Sequence, residues 1–136
     1  MDVTARYSGG VAFQVSARGH RITCDQPKEN HGADSGMTPP ELLVASLATC
    51  AGYYAVQYLL TRGLPTNGVE VRVTANKALK PARLGDFRIE VNVPGVDEQH
   101  EAGILRAVKA CLIHNTLLNT PAIETLVHTG VALQVV

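Results

Sequence analysis

The segment Pro39–Thr61 decides most of what this chain can become, because it holds a single charged side chain, Glu41, in an otherwise mostly apolar run of Ala, Leu, Val and Tyr. Its start is well marked. Thr38 suits an N-cap, Pro39 takes the first helical position, where its missing N–H is no loss, and Glu41 falls three residues after the threonine in a capping-box pattern. Its end is marked by Gly63, with Arg62 before it, whose charge suits the C-terminal end of a helix dipole. Leu43, Leu47, Cys50, Tyr54 and Tyr58 recur every three or four residues and share one face. Ala45, Ala48, Ala51 and Ala55 leave room for another element to approach closely on a second side. A helix apolar over so much of its circumference needs more burial than a small monomer supplies, which points to a homodimer.

The remaining elements follow from local patterns. Val3–Ser8 and Val11–Ala17 flank Gly9–Gly10, a pair that tolerates the positive φ of a two-residue hairpin turn. Arg18–Gly19–His20 reads as a second turn before a short strand, Arg21–Cys24, and Asp25 to Pro40 reads as a long polar loop. Val69–Ala75 and Phe87–Val93 alternate apolar and polar side chains as half-buried strands do, with Asn76–Asp86 expected to be loop around Pro81 and Gly85. A second long helix is expected from Asp97 through Cys111 to about Asn119, with Ile104, Val108, Cys111, Asn115 and Leu118 on one face. Pro121–Leu126 reads as a short helix or turn, and Val127–Val136 as a closing strand. The sum is one α+β domain over residues 1–136, with two long apolar central helices packed against antiparallel sheet.

Charge and cysteine usage exclude several classes. Twelve basic residues balance twelve acidic ones, which gives no electrostatic case for nucleic acid. The first ten residues lack the apolar run of a signal peptide, and the central helix is too polar at its tips for a convincing membrane span. Three cysteines without a CxxC pair argue against a disulfide scaffold and against a structural metal site, and no cofactor is expected; a reducing, cytoplasmic setting is the default.

The chemistry then rests on Cys50 and Cys111, each on an apolar helical face. If the helices pack together, the sulfurs can meet in an apolar cleft suited to redox work on an apolar substrate. The competing reading is that free Cys is a common core residue. The redox reading needs a thiolate, hence a cation or hydrogen-bond donor beside Cys50, because an apolar site alone raises a thiol pKa. His114 lies one turn from Cys111, and Leu43, Leu47, Tyr54, Tyr58 and Leu112 are placed to line an apolar passage with it. Cys24 has no partner at motif spacing and reads as structural. Glu41 sits nine residues before Cys50, roughly 13 Å along a straight helix and on the opposite face, so it acts on the thiol only through a bridging group, a bend or another subunit.

At these residues the chain resembles a family. The run from Gly36 through Thr38, Pro39, Pro40 and Glu41 to Cys50 is similar to the signature of the OsmC/Ohr superfamily, the osmotically inducible and organic hydroperoxide resistance proteins. Cys111–Leu112–Ile113–His114–Asn115–Thr116–Leu117 resembles that family's second cysteine motif. The resemblance implies an OsmC-like fold, an intertwined homodimer, and a thiol-dependent peroxidase acting on organic hydroperoxides. Cys50 would be its peroxidatic cysteine and Cys111 its resolving one, recycled by an external dithiol. Glu41 matches the glutamate that orders a catalytic arginine. The chain departs from the pattern in two places. The early glycine turn reads Ser8–Gly9–Gly10–Val11 without arginine, which leaves Arg18 as the assigned cation, and His114–Asn115 replaces the usual valine–serine style of the second motif. These departures place it in a less characterised branch. They also keep open a non-catalytic dimer that binds a small molecule or fatty-acyl chain.

Overall fold

The computed structural model describes residues 1–130. Three strands, β1 (Thr4–Gly9), β2 (Ala12–Ala17) and β3 (His20–Cys24), form an antiparallel sheet in the order β1–β2–β3. Gly9 and Gly10 turn the first hairpin with φ of 115° and 55°. The cross-strand pairs Tyr7–Phe13, Val15–Ile22 and Phe13–Cys24 put apolar side chains on one side of this sheet. Most of that side is uncovered among the described residues: Tyr7 is 67% exposed, and Phe13 and Ile22 are exposed too, while Cys24 at its end is buried.

A loop then leads to α1 (Pro39–Thr61). The loop closes around the buried carboxylate of Asp25, which accepts from the backbone N–H of Gln26 (2.8 Å), Ala33 and Ser35 (3.1 Å each) and from the Ser35 hydroxyl (2.6 Å). It is anchored by a bridge between Cys24 and Met37. Gly36 lies so close to the Thr23 carbonyl that a side chain has no room there. Thr38 thus arrives in extended geometry and caps α1, and Glu41 reaches back to complete the capping box. The other end closes at Gly63 (φ 64°), where Leu64 N–H bonds the Leu59 carbonyl and Gly63 N–H the Leu60 carbonyl, a Schellman stop.

Strands β4 (Glu70–Ala78) and β5 (Arg83–Asn92) pair as an antiparallel hairpin. Both run further than the periodicity predicts, so most of the expected loop at 76–86 is strand. Gly85 is opposite Asn76, where the register slips, and it marks a strand irregularity rather than a loop. By length and composition alone α1 could cross a membrane, with hydropathy 1.3. It instead lays Leu47, Ala51, Ala55 and Leu59 into the core: Leu47 is on the face that periodicity picks out, and the other three lie one residue past its Cys50, Tyr54 and Tyr58. Ala51, Ala55 and Leu59 cluster with Ile104 and Val108, flanked by Val71, Ile89 and Val91. Gly52 approaches so closely that an added Cβ would stand 3.4 Å from Val71 Cγ2.

The second long helix is not continuous. A 3₁₀ turn, Glu98–His100, capped by Asp97, leads into α2 (Glu101–Lys109), which stops at Ala110, and α3 (Leu112–Leu118) begins anew. Cys111 stands between them in an extended conformation (φ −56°, ψ 130°), with its sulfur accepting from the His114 N–H at 3.5 Å. A buried thiol acting as N-cap makes the break, and the apolar period runs through it unchanged. Pro121–Leu126 and residues 127–130 carry no regular structure. The rest of the expected closing strand, 131–136, lies outside the described residues.

Candidate functional site

The break between α2 and α3 brings the two thiols together. Helix α1 packs against β4, α2 and α3, and Cys50 and Cys111 lie near disulfide distance. Both are free thiols. Cys111 is fully buried and Cys50 half-buried.

The two sulfurs differ in acidity. Burial pushes the Cys50 thiol up, but hydrogen bonds from the Cys111 side chain and from the backbone N–H groups of Ile113 and Leu112 outweigh it, so its pKa falls below that of an ordinary thiol. Burial, and then the bond to Cys50, push Cys111 the other way, against the backbone donors His114 and Ile113. The two thiols are thus shifted in opposite directions, Cys50 down and Cys111 up. No basic side chain contributes to the acidity of Cys50. The donor that the sequence requires is met first by the Cys111 thiol and then by main-chain amides, and periodicity could not reveal the amides. Cys111 N–H bonds the Val108 carbonyl, His114 N–H the Cys111 sulfur and Asn115 N–H the Cys111 carbonyl.

The other expected site residues scatter around this pair. Glu41 is engaged at the start of α1, where its carboxylate accepts from the Thr38 hydroxyl (2.8 Å) and N–H (3.2 Å), both of which lower its pKa. Arg18 stands on the exposed β2–β3 turn with φ 51°. On α1, Leu43 and Tyr54 share the side of Cys50, Leu43 exposed and Tyr54 half-buried against Tyr53, whereas Leu47 is in the core. Tyr58 is taken up elsewhere: its hydroxyl meets His100 Nδ1 at 3.0 Å, its ring lies under the Arg62 guanidinium at 3.6 Å, and it fills the space left by Gly103. Leu112 is exposed beside the pair. His114 lines a groove of about 840 Å³ between β5 and α2, together with Phe87, Ile89, Val91, Ile104 and Val108. Its Nδ1 is buried there without a hydrogen-bond partner among the described residues. Among those residues no cluster of His, Cys, Asp or Glu could hold a metal ion.

A sequence model described as OsmC-like protein matches residues 32–126, from the Asp25 loop past both thiols. The chain belongs to the OsmC/Ohr superfamily. No curated protein sequence matches it. Among solved structures, it is similar to an OsmC-like protein of Mycoplasma pneumoniae at 23% identity, with TM-score 0.72 over 88% of this chain and 87% of that one. It is also similar to a protein from Psychrobacter arcticus 273-4 described as an osmotic stress induced and detoxification response protein, at 20% identity, with TM-score 0.76 over 84% and 85%. The organic hydroperoxide resistance protein OhrB of Bacillus subtilis aligns at 19% identity, with TM-score 0.62 over 88% and 90%. At these identities the likeness establishes the OsmC-like fold.

Proposed function

We propose that the chain is a thiol-dependent peroxidase that reduces organic hydroperoxides through a two-cysteine cycle. The observation that carries this is two free thiols, Cys50 and Cys111, near disulfide distance, and the opposite directions of their pKa shifts, Cys50 lowered and Cys111 raised, agree with it. The Cys50 thiolate attacks the distal oxygen of ROOH. The O–O bond breaks, the alkoxide takes up a proton and leaves as ROH, and Cys50 is left as a sulfenic acid. The Cys111 thiol condenses with it, releasing water and forming the disulfide. An external dithiol then reduces that bond by exchange. Leu43, Tyr54 and Leu112 flank the approach to Cys50, an apolar border that suits an alkyl substrate.

The working unit in this reading is a homodimer in a reducing, cytoplasmic compartment. The uncovered apolar side of the β1–β3 sheet, with Tyr7, Phe13 and Ile22, and the exposed Leu43, Tyr53 and Leu60 of α1 are surfaces a second copy would cover. In the same reading Arg18 reaches the thiol pair, and Glu41 its guanidinium, only across that dimer. The test is direct. Cys50→Ser abolishes hydroperoxide consumption, and Cys111→Ser permits one turnover per site and slows recycling. Undiminished consumption by the Cys50→Ser protein would end the reading.

One observation favours a second reading, a non-catalytic dimer that binds a small apolar or fatty-acyl molecule. The β5–α2 groove is large, apolar, and does not include either sulfur in its lining. Under that reading one equivalent of hydroperoxide leaves both thiols free, and a fluorescent fatty acid binds with the same affinity to the Cys50→Ser protein.

A further inference from the structure

We propose that the tip of the β4–β5 hairpin, residues 77–83, docks on an anionic lipid bilayer, with Leu79 entering the interface, Lys77 and Lys80 meeting the lipid phosphates, and Arg83 bracing the turn. The inference stands apart from the thiol chemistry and holds whether or not the pair reacts.

The tip is set apart first by its charge. Over the whole chain twelve basic residues balance twelve acidic ones, yet residues 77–83 carry Lys77, Lys80 and Arg83 and no carboxylate. All three side chains are exposed. The salt bridge found among the described residues, Arg88–Glu90, lies further along β5 and takes none of them. Glu29 and Glu41 share a groove with Lys77, but Glu41 is already engaged by Thr38. Between the cations stands Leu79, 77% exposed. Among the large apolar side chains of the described residues only Met1, Ile123 and Val127 are more exposed, and these lie at the start of the chain or in the segment without regular structure. A scattered exposed leucine calls for no explanation. A leucine fixed at an apex with cations on both sides is the pattern of an apolar anchor beside a basic patch.

The apex is also built to shed water. Strands β4 and β5 stay paired up to Ala78 and Arg83, so the turn between them is held at its base. Lys80 takes φ 61°, and Pro81 has no N–H to leave unpaired. Arg83 Nη1 donates to the Leu79 and Pro81 carbonyls at 2.9 Å each. Two carbonyls that would otherwise need water are thus satisfied within the turn, and polar groups enter an apolar phase at least cost when they are already bonded. Leu79 then sinks below the headgroups while the lysine stems lie along the boundary and their ammonium groups reach the phosphates. The same details argue against a nucleic acid. Residues 77–83 hold no aromatic ring on which a base could stack, and the Arg83 guanidinium is spent on the turn rather than presented as a fork to a phosphate. Docking in this way would place the thiols beside the phase in which apolar hydroperoxides dissolve.

Vesicle co-sedimentation tests this on the full chain. Vesicles of phosphatidylcholine mixed with an equal share of phosphatidylglycerol are compared with phosphatidylcholine alone. Partitioning should be about tenfold or more stronger on the anionic vesicles and should fall steeply in high salt. Lys77→Gln combined with Lys80→Gln should weaken it about tenfold, and Leu79→Ser about fivefold or more. Urea melts of both proteins should match wild type, because the three side chains are exposed. Arg88→Gln, away from the tip, should bind within about twofold of wild type. Equal partitioning onto the two kinds of vesicle overturns the proposal. So does binding that persists through Leu79→Ser and is lost only with the lysine charges, which marks a surface for a soluble polyanion; gel shifts with duplex DNA and with polyglutamate then tell a nucleic acid from an acidic protein.

Discussion

If main-chain amides hold the Cys50 thiolate, deleting one of them should blunt the thiol without disturbing the fold, and position 112 allows that experiment. Leu112 is the first helical residue of α3, the place where proline is best tolerated and where its missing N–H costs no helix bond. The preceding Cys111 already has ψ 130°, within the range a residue before proline prefers. Leu112→Pro therefore removes one N–H···S bond and little else, because the leucine side chain is 60% exposed. Hydrogen bonds to charged groups contribute about 1.5–3 kcal/mol, and about 1.4 kcal/mol is a factor of ten. The thiolate population at neutral pH should fall about tenfold or more, and alkylation by iodoacetamide should slow in proportion. Leu112→Ala is the control, since it keeps the amide and should titrate like wild type. The assay is thiolate ultraviolet absorbance against pH, read beside the alkylation rate, with circular dichroism confirming the fold. A Leu112→Pro protein with an unchanged titration, or a Leu112→Ala protein shifted as far, would refute the amide account.

Two further outcomes concern the scaffold. Gly103→Ala puts a methyl against the Tyr58 ring, whose Cε2 and Cζ would lie 2.6 and 2.7 Å away. His100 and Arg62 hold that ring in place, so overpacking at about 1–3 kcal/mol should outweigh a helix-propensity gain of about 1 kcal/mol; urea melts should show a net loss that Tyr58→Leu relieves. The Asp25 carboxyl is lowered from 3.8 to about 2 by the Ser35 hydroxyl and then by backbone N–H groups, against burial. Its stabilisation is fully present above 3.8 and lost as pH falls toward about 2. Asp25→Asn should lower stability at pH 7 and flatten the fall of stability across that acid window, as followed by urea melts at several pH values.

The parts of the fold that depend on local chemistry were legible in the residues. The Thr38–Glu41 capping box, the stop at Gly63 and the Gly9–Gly10 turn all stand where their side chains and φ demands put them. Proximity of Cys50 and Cys111 was legible too, because the apolar spacing puts both on core-facing stripes, although Cys111 itself stands between two helices. The break at Cys111 was not. Neither Pro nor Gly marks it, the apolar spacing continues through it, and a thiol acting as N-cap has no pattern that distinguishes it from a core thiol. Of the Cys50 donors the Cys111 thiol was legible, but the Ile113 and Leu112 amides could not be read from side-chain types, since they become available only once the helix breaks. Tyr58 carried the right period for the thiol face yet went to Gly103, since a helix stripe predicts burial without saying what stands opposite. The clasp on Asp25 had only a weak signal, a polar loop with Asp, Ser and Gly at its ends.

The run of Ala51, Gly52 and Ala55 lets α1 lie flat on β4. Because interiors are close-packed and transmit strain, the depth at which that helix beds down also fixes how far Cys50 stands from Cys111. Larger side chains at these three positions would lift the helix and widen the gap between the two sulfurs. The spacing of the two sulfurs is therefore written partly in small residues of the packed side of the helix, and a search for variants with altered thiol reactivity has reason to begin there.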